Sequence, residues 1–487
     1  MIINLTGGEK NRFSVTVDGP STGTEVTARM SGTDISALTR ASPETRLEVG
    51  RALRAKVPRK SHAVWKAPSN RPDPVQLLMD SDTERIAKLL PIRYGRMSKS
   101  PFTFLRGAAA IMAFDLARTP TTRLRVQACG DCHIMNFGGF ATPERNLIFD
   151  INDFDETLPA PWEWDLKRLT TSIEVAGRSA GSRSRDREKA VRAAVQSYRE
   201  HMAEYAAMPA LEVWYEHIDL QSLIKRMPEA EYRKQSTKAV EKARKKSIPS
   251  HVYPALADGK EAEIKDDPPL IYHESKQRQP AYRRQAALSL KRYREHLLPA
   301  YRVLFDRYEL QDIALKVVGI GSVGTYCEAA LFTDPENAPL FLQIKEARAS
   351  VLERYAGGSV FATHGERVVV GQRLMQAASD IFLGWTVGLE SGRHFYVRQL
   401  RDMKIRMPLD MTDPAFLAYF AEACGWALAR AHGRSGDPAM IAGYMGSNAK
   451  FDDAIIKFAA EYADQTESDY EVLKKAIKAG RIRIQDA

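Results

Sequence analysis

The spacing of apolar residues predicts two long helical regions. Residues 46–118 have a mostly helical pattern, and Asp73 followed by Pro74 is typical of a helix start. From Trp162 to about residue 310 the apolar positions again recur at steps of three and four residues. The clearest series places five side chains on one helix face: Val191, Val195, Tyr198, Met202 and Tyr205.

Short apolar runs bounded by glycine or polar residues predict strands in two other parts of the chain. The first part has runs at 124–126 and 147–149. The second begins at Leu315, and a helix and a charged helical tail follow it. Its predicted strands surround a glycine-rich turn, and the elements of this part lie at 315–332, 339–345, 394–400 and, for the helix, 414–432.

This mixture of helices and strands predicts an α+β fold. The 487 residues exceed what one ordinary core needs, so we expect several structural units. They are a flexible arm at 1–45, a mainly helical unit at 46–310, a β-rich unit at 311–405 and C-terminal helices at 406–487 that pack on the helical unit.

Composition adds a charge and an expected location. The formal net charge of +10 is a mild bias towards anionic ligands. Four cysteines are too few for a disulfide scaffold and fit a reducing compartment. The first 39 residues lack the pattern of a signal peptide, and the apolar run at 102–117 is too short to span a bilayer. We therefore expect a cytoplasmic protein with no membrane partner, and the sequence does not indicate its oligomeric state.

The segment from Gly130 to Asn136 predicts the catalytic loop of a phosphotransferase. Kinase-type enzymes place an Asp and an Asn five residues apart, because the Asp accepts the hydroxyl proton of the acceptor and the Asn reaches a magnesium ion. Asp131, His133 and Asn136 are therefore the candidate catalytic residues. The letters Cys-x-x-Cys-His at 129–133 also fit haem attachment, a redox dithiol or half a zinc site. Haem attachment normally needs export, and no second Cys/His pair has zinc spacing.

An acidic cluster follows this loop after two predicted strands. A hard cation that bridges phosphates needs oxygen ligands of this kind. We take Asn136, Asp150 and Asp153 as the candidate magnesium ligands, and the sequence does not distinguish magnesium from manganese. The cluster consists of Asp150, Asp153, Asp155 and Glu156.

The order Gly-Asp-x-His-x-x-Asn, Asn-Asp-Phe-Asp and Pro-x-x-x-Asp-Leu resembles the aminoglycoside and choline kinase branch of the kinase-like superfamily. The resemblance implies that Asp131 is the base, Asn136 a metal ligand and Asp165 a structural carboxylate that braces the loop. The twelve-residue step from Asp153 to Asp165 matches that branch and favours Asp153 as the main metal ligand. Because the gap after Asn136 is longer than in the branch, Asp150 stays an alternative.

A glycine-rich turn predicts the nucleotide site. Residues 317–325 contain G-x-G-x-x-G after an apolar strand. A dinucleotide fold would need a helix directly after the third glycine, whereas a strand pattern follows here, as in kinases. A tight hairpin is the plain alternative. The candidate phosphate contacts are Gly319, Gly321, Ser322 and Gly324.

The strand that follows this turn ends in Lys345, where a kinase keeps the lysine that holds the α- and β-phosphates of ATP. Glu366, in the next predicted helix, is its expected ion-pair partner, and Glu353 is the second choice. Gln399 lies in a strand that suits the approach to an adenine-binding hinge. A solvated lysine and an ordinary core strand are the alternatives.

The order of these parts differs from that of ordinary kinases. Gly319 and Lys345 follow Asp131, whereas the glycine loop and the lysine normally come first. The helix at 414–432 resembles the helix that normally runs into the catalytic loop. We therefore expect a circularly permuted, protein-kinase-like two-lobe fold, with the catalytic lobe before the nucleotide lobe and with extra helices.

Basic residues suggest further sites. Arg93, Arg96 and Arg106 are candidate contacts for an anion or a substrate, because Arg forms bidentate bonds with phosphate. Ion pairs between helices are the alternative. Lysines and arginines at 233–246 support a rival interpretation as a nucleic-acid or regulatory binding module, although a solvated helix face explains them more simply. A pseudokinase, which binds nucleotide without turnover, is a third interpretation.

Most of the chain from 48 to 470 resembles a bacterial family of unknown function, the domain of unknown function 2252 family. The resemblance implies a place near the kinase-like superfamily and gives no substrate. We expect an ATP- and magnesium-dependent phosphotransferase with an unknown hydroxyl-bearing acceptor, and nucleotidyl transfer stays open. The resemblance depends on residues 91–97, 104–107, 130–138, 149–157, 161–165, 371–380 and 398–404.

Overall fold

The structure is a computed structural model of the chain. Most of the segment predicted as a flexible arm lies outside its described residues. Two strands within that segment, β1 (Phe13–Thr16) and β2 (Thr27–Met30), pair antiparallel. Helices and strands together make the chain a mixed α+β protein, as predicted. The described residues are 40–244, 262–275, 277, 279–317, 319–400, 403–405 and 411–485, with the backbone alone of 13–16, 27–30, 245 and 246.

Among the described residues, five α-helices precede the first strand of the candidate site: α1 (Pro43–Ala52), α2 (Pro74–Ser81), α3 (Leu90–Met97), α4 (Pro101–Gly107) and α5 (Ala109–Leu116). The predicted start of α2 is confirmed, because Asp73 accepts a hydrogen bond from the amide of Val75 at 2.9 Å. Ser42 caps α1 in the same way, so this helix begins inside the segment predicted as an arm.

Two pairs of strands support the candidate site: β3 (Arg125–Ala128), β4 (Phe137–Ala141), β5 (Leu147–Ile151) and β6 (Leu158–Pro161). β3 pairs antiparallel with β6, and β4 pairs antiparallel with β5. The loop at 129–136 therefore lies beside the loop at 152–157. Their contact includes a hydrogen bond of 2.8 Å from the amide of Asn152 to the carbonyl of Asn136.

Helices dominate the next part of the chain, as the apolar spacing predicts. The five apolar positions of the predicted helix face are all buried on the second of these helices. One short strand, β7 (Ile218–Asp219), joins the edge of β5. The helices are α6 (Trp162–Ser179), α7 (Ser184–Ala207), α8 (Ala210–Tyr215), α9 (Leu220–Arg226), α10 (Ala230–Lys246), α11 (Pro280–His296) and α12 (Pro299–Phe305).

One antiparallel sheet of six strands follows: β8 (Ile271–Tyr272), β9 (Glu309–Lys316), β10 (Cys327–Thr333), β11 (Pro339–Glu346), β12 (Gly384–Val387) and β13 (His394–Gln399). The order across the sheet is β12-β13-β11-β10-β9-β8. The glycine-rich turn joins β9 to β10, so the predicted strand–turn–strand is confirmed. α13 (Glu353–Ala356) and α14 (His364–Met375) come between β11 and β12 in the chain.

Three C-terminal helices complete the core: α15 (Pro414–Ser435), α16 (Pro438–Met445) and α17 (Lys450–Lys478). α15 packs along α7, and α17 packs along α6. A Cβ on Gly425 would lie 2.1 Å from the carbonyl oxygen of Ala194, so glycine allows this close approach of α15 to α7. None of the helices that the structure describes combines the length and the apolar character needed to cross a bilayer.

Direct hydrogen bonds join these parts around the candidate site. Ser435, at the end of α15, accepts a hydrogen bond of 3.2 Å from the amide of Gln127 on β3. Arg367 of α14 is completely buried and donates to the carbonyls of Asp155, Thr157 and Arg348. The sheet, the loop at 152–157 and α15 therefore meet near the loop at 129–136. The unit boundaries at 45, 310 and 405 stay predictions.

Candidate functional site

Asp165, in the first turn of α6, holds the start of the loop at 129–136. Its two carboxylate oxygens accept hydrogen bonds from the amides of Cys129 at 2.6 Å and Gly130 at 2.9 Å. Gly130 has a φ of +84°, and a Cβ there would lie 2.3 Å from the carbonyl oxygen of Glu156. Only glycine fits this turn, which directly precedes Asp131.

Asp131 is oriented by a buried arginine. Arg168, one turn after Asp165 on α6, reaches Asp131 Oδ1 with Nε at 2.6 Å and with Nη2 at 2.5 Å. Burial raises the pKa of Asp131 above its usual value, and the charge of Arg168 opposes that rise. Oδ2 lies 4.0 Å from Nε2 of His133. Burial lowers the pKa of His133 well below its usual value, so the imidazole is neutral at pH 7.

Asn136 closes the loop that begins at Asp131. Its side-chain Nδ2 donates to the carbonyl of Asp131 at 2.7 Å, and its amide donates to the carbonyl of His133 at 2.8 Å. Because the nitrogen of the side chain is used in this way, its oxygen is the atom that can accept a hydrogen bond or bind a cation. Asp131 and Asn136 are thus fixed in one turn.

The acidic residues of the loop at 152–157 lie close together. Asp153 Oδ1 accepts a hydrogen bond of 3.3 Å from the amide of Asp155. Burial and repulsion by Asp155 raise the pKa of Asp153 above its usual value. Burial also raises the pKa of Glu156, although its carboxylate accepts a hydrogen bond of 2.7 Å from the amide of Val351. Ionised carboxylates that lie this close repel each other, and a bound divalent cation would reduce that repulsion.

Lys345 contacts this acidic loop. Its ammonium group, on β11, donates to Asp155 Oδ2, and its side chain is only 3% exposed. Ser322 of the glycine-rich turn donates to the same oxygen at 3.0 Å, and Tyr396 of β13 donates to Oδ1 at 2.8 Å. Burial alone would raise the pKa of Asp155, but the charge of Lys345 and these hydrogen bonds hold it at about 2. The aspartate is therefore ionised at neutral pH.

The glycine-rich turn lies over the same loops. Gly319 and Gly324 have φ values of +68° and +91°, which favour glycine. A Cβ on Gly321 would lie 3.8 Å from Asp131 Oδ2. Two arginines from the N-terminal part of the chain bind its backbone. Arg96 of α3 donates to the carbonyl of Gly319 at 2.7 Å, and Arg85, between α2 and α3, donates to the carbonyl of Val323 at 2.7 Å.

The expected partner of Lys345 is corrected by these contacts. Glu366 lies in the first turn of α14, where its amide is capped by Thr363, and Lys345 pairs with Asp155 instead. The second choice, Glu353, approaches Arg367 at 3.7 Å. The chain turns sharply after β5, and this turn rather than α14 brings a carboxylate to the lysine.

Asp150 has a structural partner. It is completely buried, and both of its oxygens lie 2.7 Å from Nη2 of Arg430 on α15. One oxygen also accepts a hydrogen bond of 3.0 Å from the amide of Ala377. These bonds occupy both oxygens of the carboxylate, so Asp150 does not fit the role of a metal ligand. Of the two candidates, Asp153 is therefore the better placed.

Gln399, the candidate residue at the adenine-binding hinge, lies at the end of β13. Its backbone amide donates a hydrogen bond to the side chain of Asp380.

A cavity of about 200 Å³ connects the two predicted constellations. The loop at 129–136, the acidic loop at 152–157 and the glycine-rich turn all contribute to its lining. Its size suits a phosphate chain, because sites for whole drug-sized ligands have volumes of roughly 300 Å³ or more. Residues of the predicted sites that line it are Arg93, Arg106, Asp131, His133, Asn136, Asp153, Gly319, Gly321 and Ser322.

The cysteines of the Cys-x-x-Cys-His pattern are buried. Cys129 and Cys132 are free thiols that are at most 1% exposed, and Cys129 donates to the carbonyl of Asp153 at 3.2 Å. Burial helps to raise the pKa of both thiols. Within the described residues, a group of His, Cys, Asp and Glu ligands close enough to hold a metal occurs at Glu263, His273 and Asp312, and it contains no cysteine. Packing is therefore the simplest role for the two thiols.

Comparison with protein families gives one match. The family described as "Uncharacterized protein conserved in bacteria (DUF2252)" matches residues 85–476. The chain belongs to this family. The match confirms the resemblance drawn from the sequence motifs and covers the loop at 129–136, the acidic loop at 152–157, the glycine-rich turn and Lys345. No curated protein and no solved structure shows significant similarity to the chain.

Several site residues escaped the sequence interpretation. The sequence pattern places Asp155 in the acidic cluster without a specific role, and it assigns no role to Arg168 or Tyr396. A helical step offered a signal for Arg168, because it follows Asp165 by three residues and shares its helix face. Nothing in the local sequence around Tyr396 or Arg367 indicates that they reach a loop more than 200 residues away.

Proposed function

We propose that this protein is an ATP- and magnesium-dependent phosphotransferase that acts on a hydroxyl-bearing acceptor. One observation carries the proposal. Lys345 and Ser322, from the predicted nucleotide segment, contact Asp155 within the acidic loop next to Asp131 and Asn136. Two sets of residues that the sequence interprets separately as parts of a kinase thus lie at one cavity, and structural ion pairs alone would not require this combination.

Asp131 is the proposed base. It accepts the hydroxyl proton while the acceptor oxygen forms a bond to the terminal phosphorus and the bond from that phosphorus to the oxygen of ADP breaks. Arg168 and Asp165 fix its position from α6, and the neutral His133 beside it neither attracts nor repels the proton by charge. Burial raises the pKa of Asp131, which makes it a better proton acceptor than an exposed aspartate.

The donor atoms fit a magnesium nucleotide. Asp153, Asp155 and the side-chain oxygen of Asn136 offer the hard oxygen ligands that magnesium prefers. Lys345 and the amides of the glycine-rich turn offer positive groups for the phosphates. Bound magnesium would neutralise the negative charge of the phosphate chain. Because Asp155 is paired with Lys345 and Ser322, the turn must move away from it to admit a whole nucleotide.

The proposed fold is a permuted two-lobe kinase arrangement. In that arrangement the helix before the catalytic loop would no longer be joined to it covalently. The end of α15 fits this role, since Ser435 bonds to Gln127 two residues before Cys129, and His432 lies 3.3 Å from Asp165. The six-stranded sheet with α14 would be the nucleotide lobe, and Gln399 lies where its chain leaves towards α15.

Thermal unfolding with and without ATP and magnesium tests the proposal. We expect ATP with magnesium to raise the melting temperature of the wild type, because a ligand at about 100 times its dissociation constant stabilises by about 2.7 kcal/mol. Lys345→Met and Asp153→Asn should lose most of this rise. Lys99→Met and Asp80→Asn, which replace exposed residues of the same kinds, should keep it. No rise in the wild type, or equal rises in all four variants, would refute the nucleotide site.

Turnover separates the proposal from the pseudokinase alternative. A transferase should release ADP from ATP slowly without acceptor, and Asp131→Asn should stop this release while the thermal rise with ATP stays. A protein that shows the thermal rise but no ADP release is a nucleotide-binding regulator. The nucleic-acid alternative depends on α10, whose exposed face carries Lys234, Lys238, Lys242 and Arg244.

A further inference from the structure

The cavity has a cationic end that the roles proposed above do not use. Four arginines line it, from α3, from α4, from the connection between α2 and α3 and from the segment after β11. Arginine binds phosphate and carboxylate oxygens in a fixed, two-pronged geometry. The residues are Arg85, Arg93, Arg106 and Arg348.

Helix α5 begins at this end of the cavity without a cap. Its N-cap residue is Ala108, which has no side-chain acceptor. The amides of Ala109 and Ala110 donate no backbone hydrogen bond to any described residue, and both residues line the cavity. An uncapped helix start presents amide hydrogens and the positive end of the helix dipole to an anion.

Two arginines at this place share a single carboxylate, which is an observation independent of the helix start. Arg93 is 2% exposed and the side chain of Arg85 is 10% exposed. They share Asp82, whose Oδ1 lies 2.9 Å from Arg85 Nε and 3.5 Å from Arg93 Nε, although neither Nε makes a hydrogen bond. Other nitrogens of the two side chains donate to the carbonyls of Val323 and Gly107 and to the sulfur of Met97. Burial and the neighbouring Arg93 and Arg348 lower the pKa of Arg85 to about 9, against the opposing pull of Asp82 and Glu156.

The cationic end lies on the side of the proposed base. The charge of Arg106, at the end of α4, lowers the pKa of both Asp131 and His133. A Cβ on Gly321 would lie 3.4 Å from the carbonyl oxygen of Arg106 and 3.8 Å from Asp131 Oδ2, so Gly321 contacts both the end of α4 and the proposed base. Lys345, by contrast, is held at Asp155.

We infer that the acceptor is itself an anion. Its phosphate or carboxylate group binds the amides of Ala109 and Ala110 together with Arg106 and Arg85, and its hydroxyl group meets Asp131. The inference depends on the proposed phosphotransferase function and adds the chemical class of the acceptor. The alternative ligand with the same chemistry is the terminal phosphate of the nucleotide. In that case the N-terminus of α5 would belong to the nucleotide site and not to the acceptor site.

Inorganic phosphate is the probe that tests this site. We expect Ala109→Asp to place a carboxylate at the helix start, where it supports the helix and excludes an anion. The matched control is Ala230→Asp, at the exposed first position of α10. Melting temperatures are measured in tens of millimolar phosphate and in sodium chloride of equal ionic strength. Phosphate also stabilises proteins by general exclusion, so the comparison between variants decides.

The inference predicts a specific pattern. Wild type, Ala230→Asp and Lys345→Met should gain about 1–2 °C more from phosphate than Ala109→Asp and Arg106→Gln do. Ala109→Asp should keep the rise with ATP and magnesium. Equal phosphate effects in all variants would overturn the anion site. Loss of the phosphate rise in Lys345→Met, or loss of the ATP rise in Ala109→Asp, would assign the anion to the nucleotide instead.

The same data separate the inference from the proposed function. If phosphate gives the predicted pattern and the wild type shows no rise with ATP and magnesium, the phosphotransferase function fails and the acceptor role fails with it. If ATP gives its rise and phosphate acts equally on every variant, the function stands and only the anionic acceptor is refuted.

Discussion

At the residue scale, the loop at 129–136 depends on single positions that allow one kind of side chain. Gly130 combines a positive φ with the carbonyl oxygen of Glu156 in the place where a Cβ would lie. Asp165 fixes the amide of the same residue. The turn that carries Asp131 is therefore determined by its own backbone and by one carboxylate on α6.

Alanine at Gly130 should destabilise the protein more than alanine at another glycine of similar backbone. Gly181 has a φ of +74° with no atom within 4 Å of a Cβ, so Gly181→Ala should cost only the backbone strain, about 1 kcal/mol. Gly130→Ala must also displace the Glu156 carbonyl, and we expect a loss of about 3 kcal/mol. Urea unfolding of the two variants measures both losses, and equal values would contradict the close contact.

The two aspartates that the sequence offers as alternative metal ligands, Asp150 and Asp153, should behave differently. Asp150→Ala leaves Arg430 buried without its partner, so we expect the free energy of unfolding to fall by about 3–5 kcal/mol. Asp153→Ala removes one of several repelling carboxylates and should change it by less than about 1 kcal/mol. Manganese binding, followed by electron paramagnetic resonance, should be lost in Asp153→Ala. Retained binding in that variant would contradict the role of Asp153.

The sequence located the candidate site better than it paired the residues within it. The catalytic loop and Asp165 stood out because their spacing is local. The pairing of Lys345 with Asp155 and that of Asp150 with Arg430 join residues 190 and 280 positions apart. Two carboxylates three residues apart look equally suitable in a linear pattern, and only the packing of α15 against β5 separates them.

At the element scale, an ion-pair cluster of Asp266, His273 and Asp312 holds the segment before β8 against the sheet. His273 lies between two carboxylates, with Nδ1 2.6 Å from Asp266 and Nε2 3.0 Å from Asp312 on β9. Glu263 lies close to the same group, and Arg283 approaches Asp312 at 3.4 Å. The hydrogen bond to Asp312 raises the pKa of His273 above its usual value, against the effect of burial.

This ion-pair cluster should make the free energy of unfolding depend on pH. Because the folded-state pKa is raised, the stabilisation is complete below the unfolded pKa of about 6.5 and is lost as the pH rises through the folded value. The difference in urea midpoint between wild type and His273→Gln should therefore be larger at pH 6 than at pH 9. His217→Gln, at an exposed histidine, is the control. A difference in urea midpoint that grows with pH would contradict a stabilising role of the charged His273.

Most elements could be predicted from periodicity, and the exceptions have physical reasons. The buried face of α7 and the start of α2 follow from local spacing and capping. The two-residue strands β7 and β8 carry no periodic signal, because they exist only through pairing with β5 and β9. α1 begins earlier than predicted, since a serine cap outweighs the polar composition around it.

At the scale of the whole molecule, the central claim is that distant segments form one nucleotide site. The order of the motifs suggested a permuted kinase before any contact was known. The contacts of Lys345 with Asp155, of Arg367 with the acidic loop and of Ser435 with Gln127 support that proposal. The sequence could not predict how closed the cavity is, because its volume depends on the packing of the glycine-rich turn on both loops.

A crystal structure with manganese and a non-hydrolysable ATP analogue tests this claim most directly. Anomalous scattering locates manganese without reference to the protein. We expect a manganese peak within about 2.5 Å of oxygens of Asp153 and Asn136, with the analogue's phosphates reaching Lys345 and the glycine-rich turn. Nucleotide bound with its manganese elsewhere, or bound away from Lys345, would contradict the account.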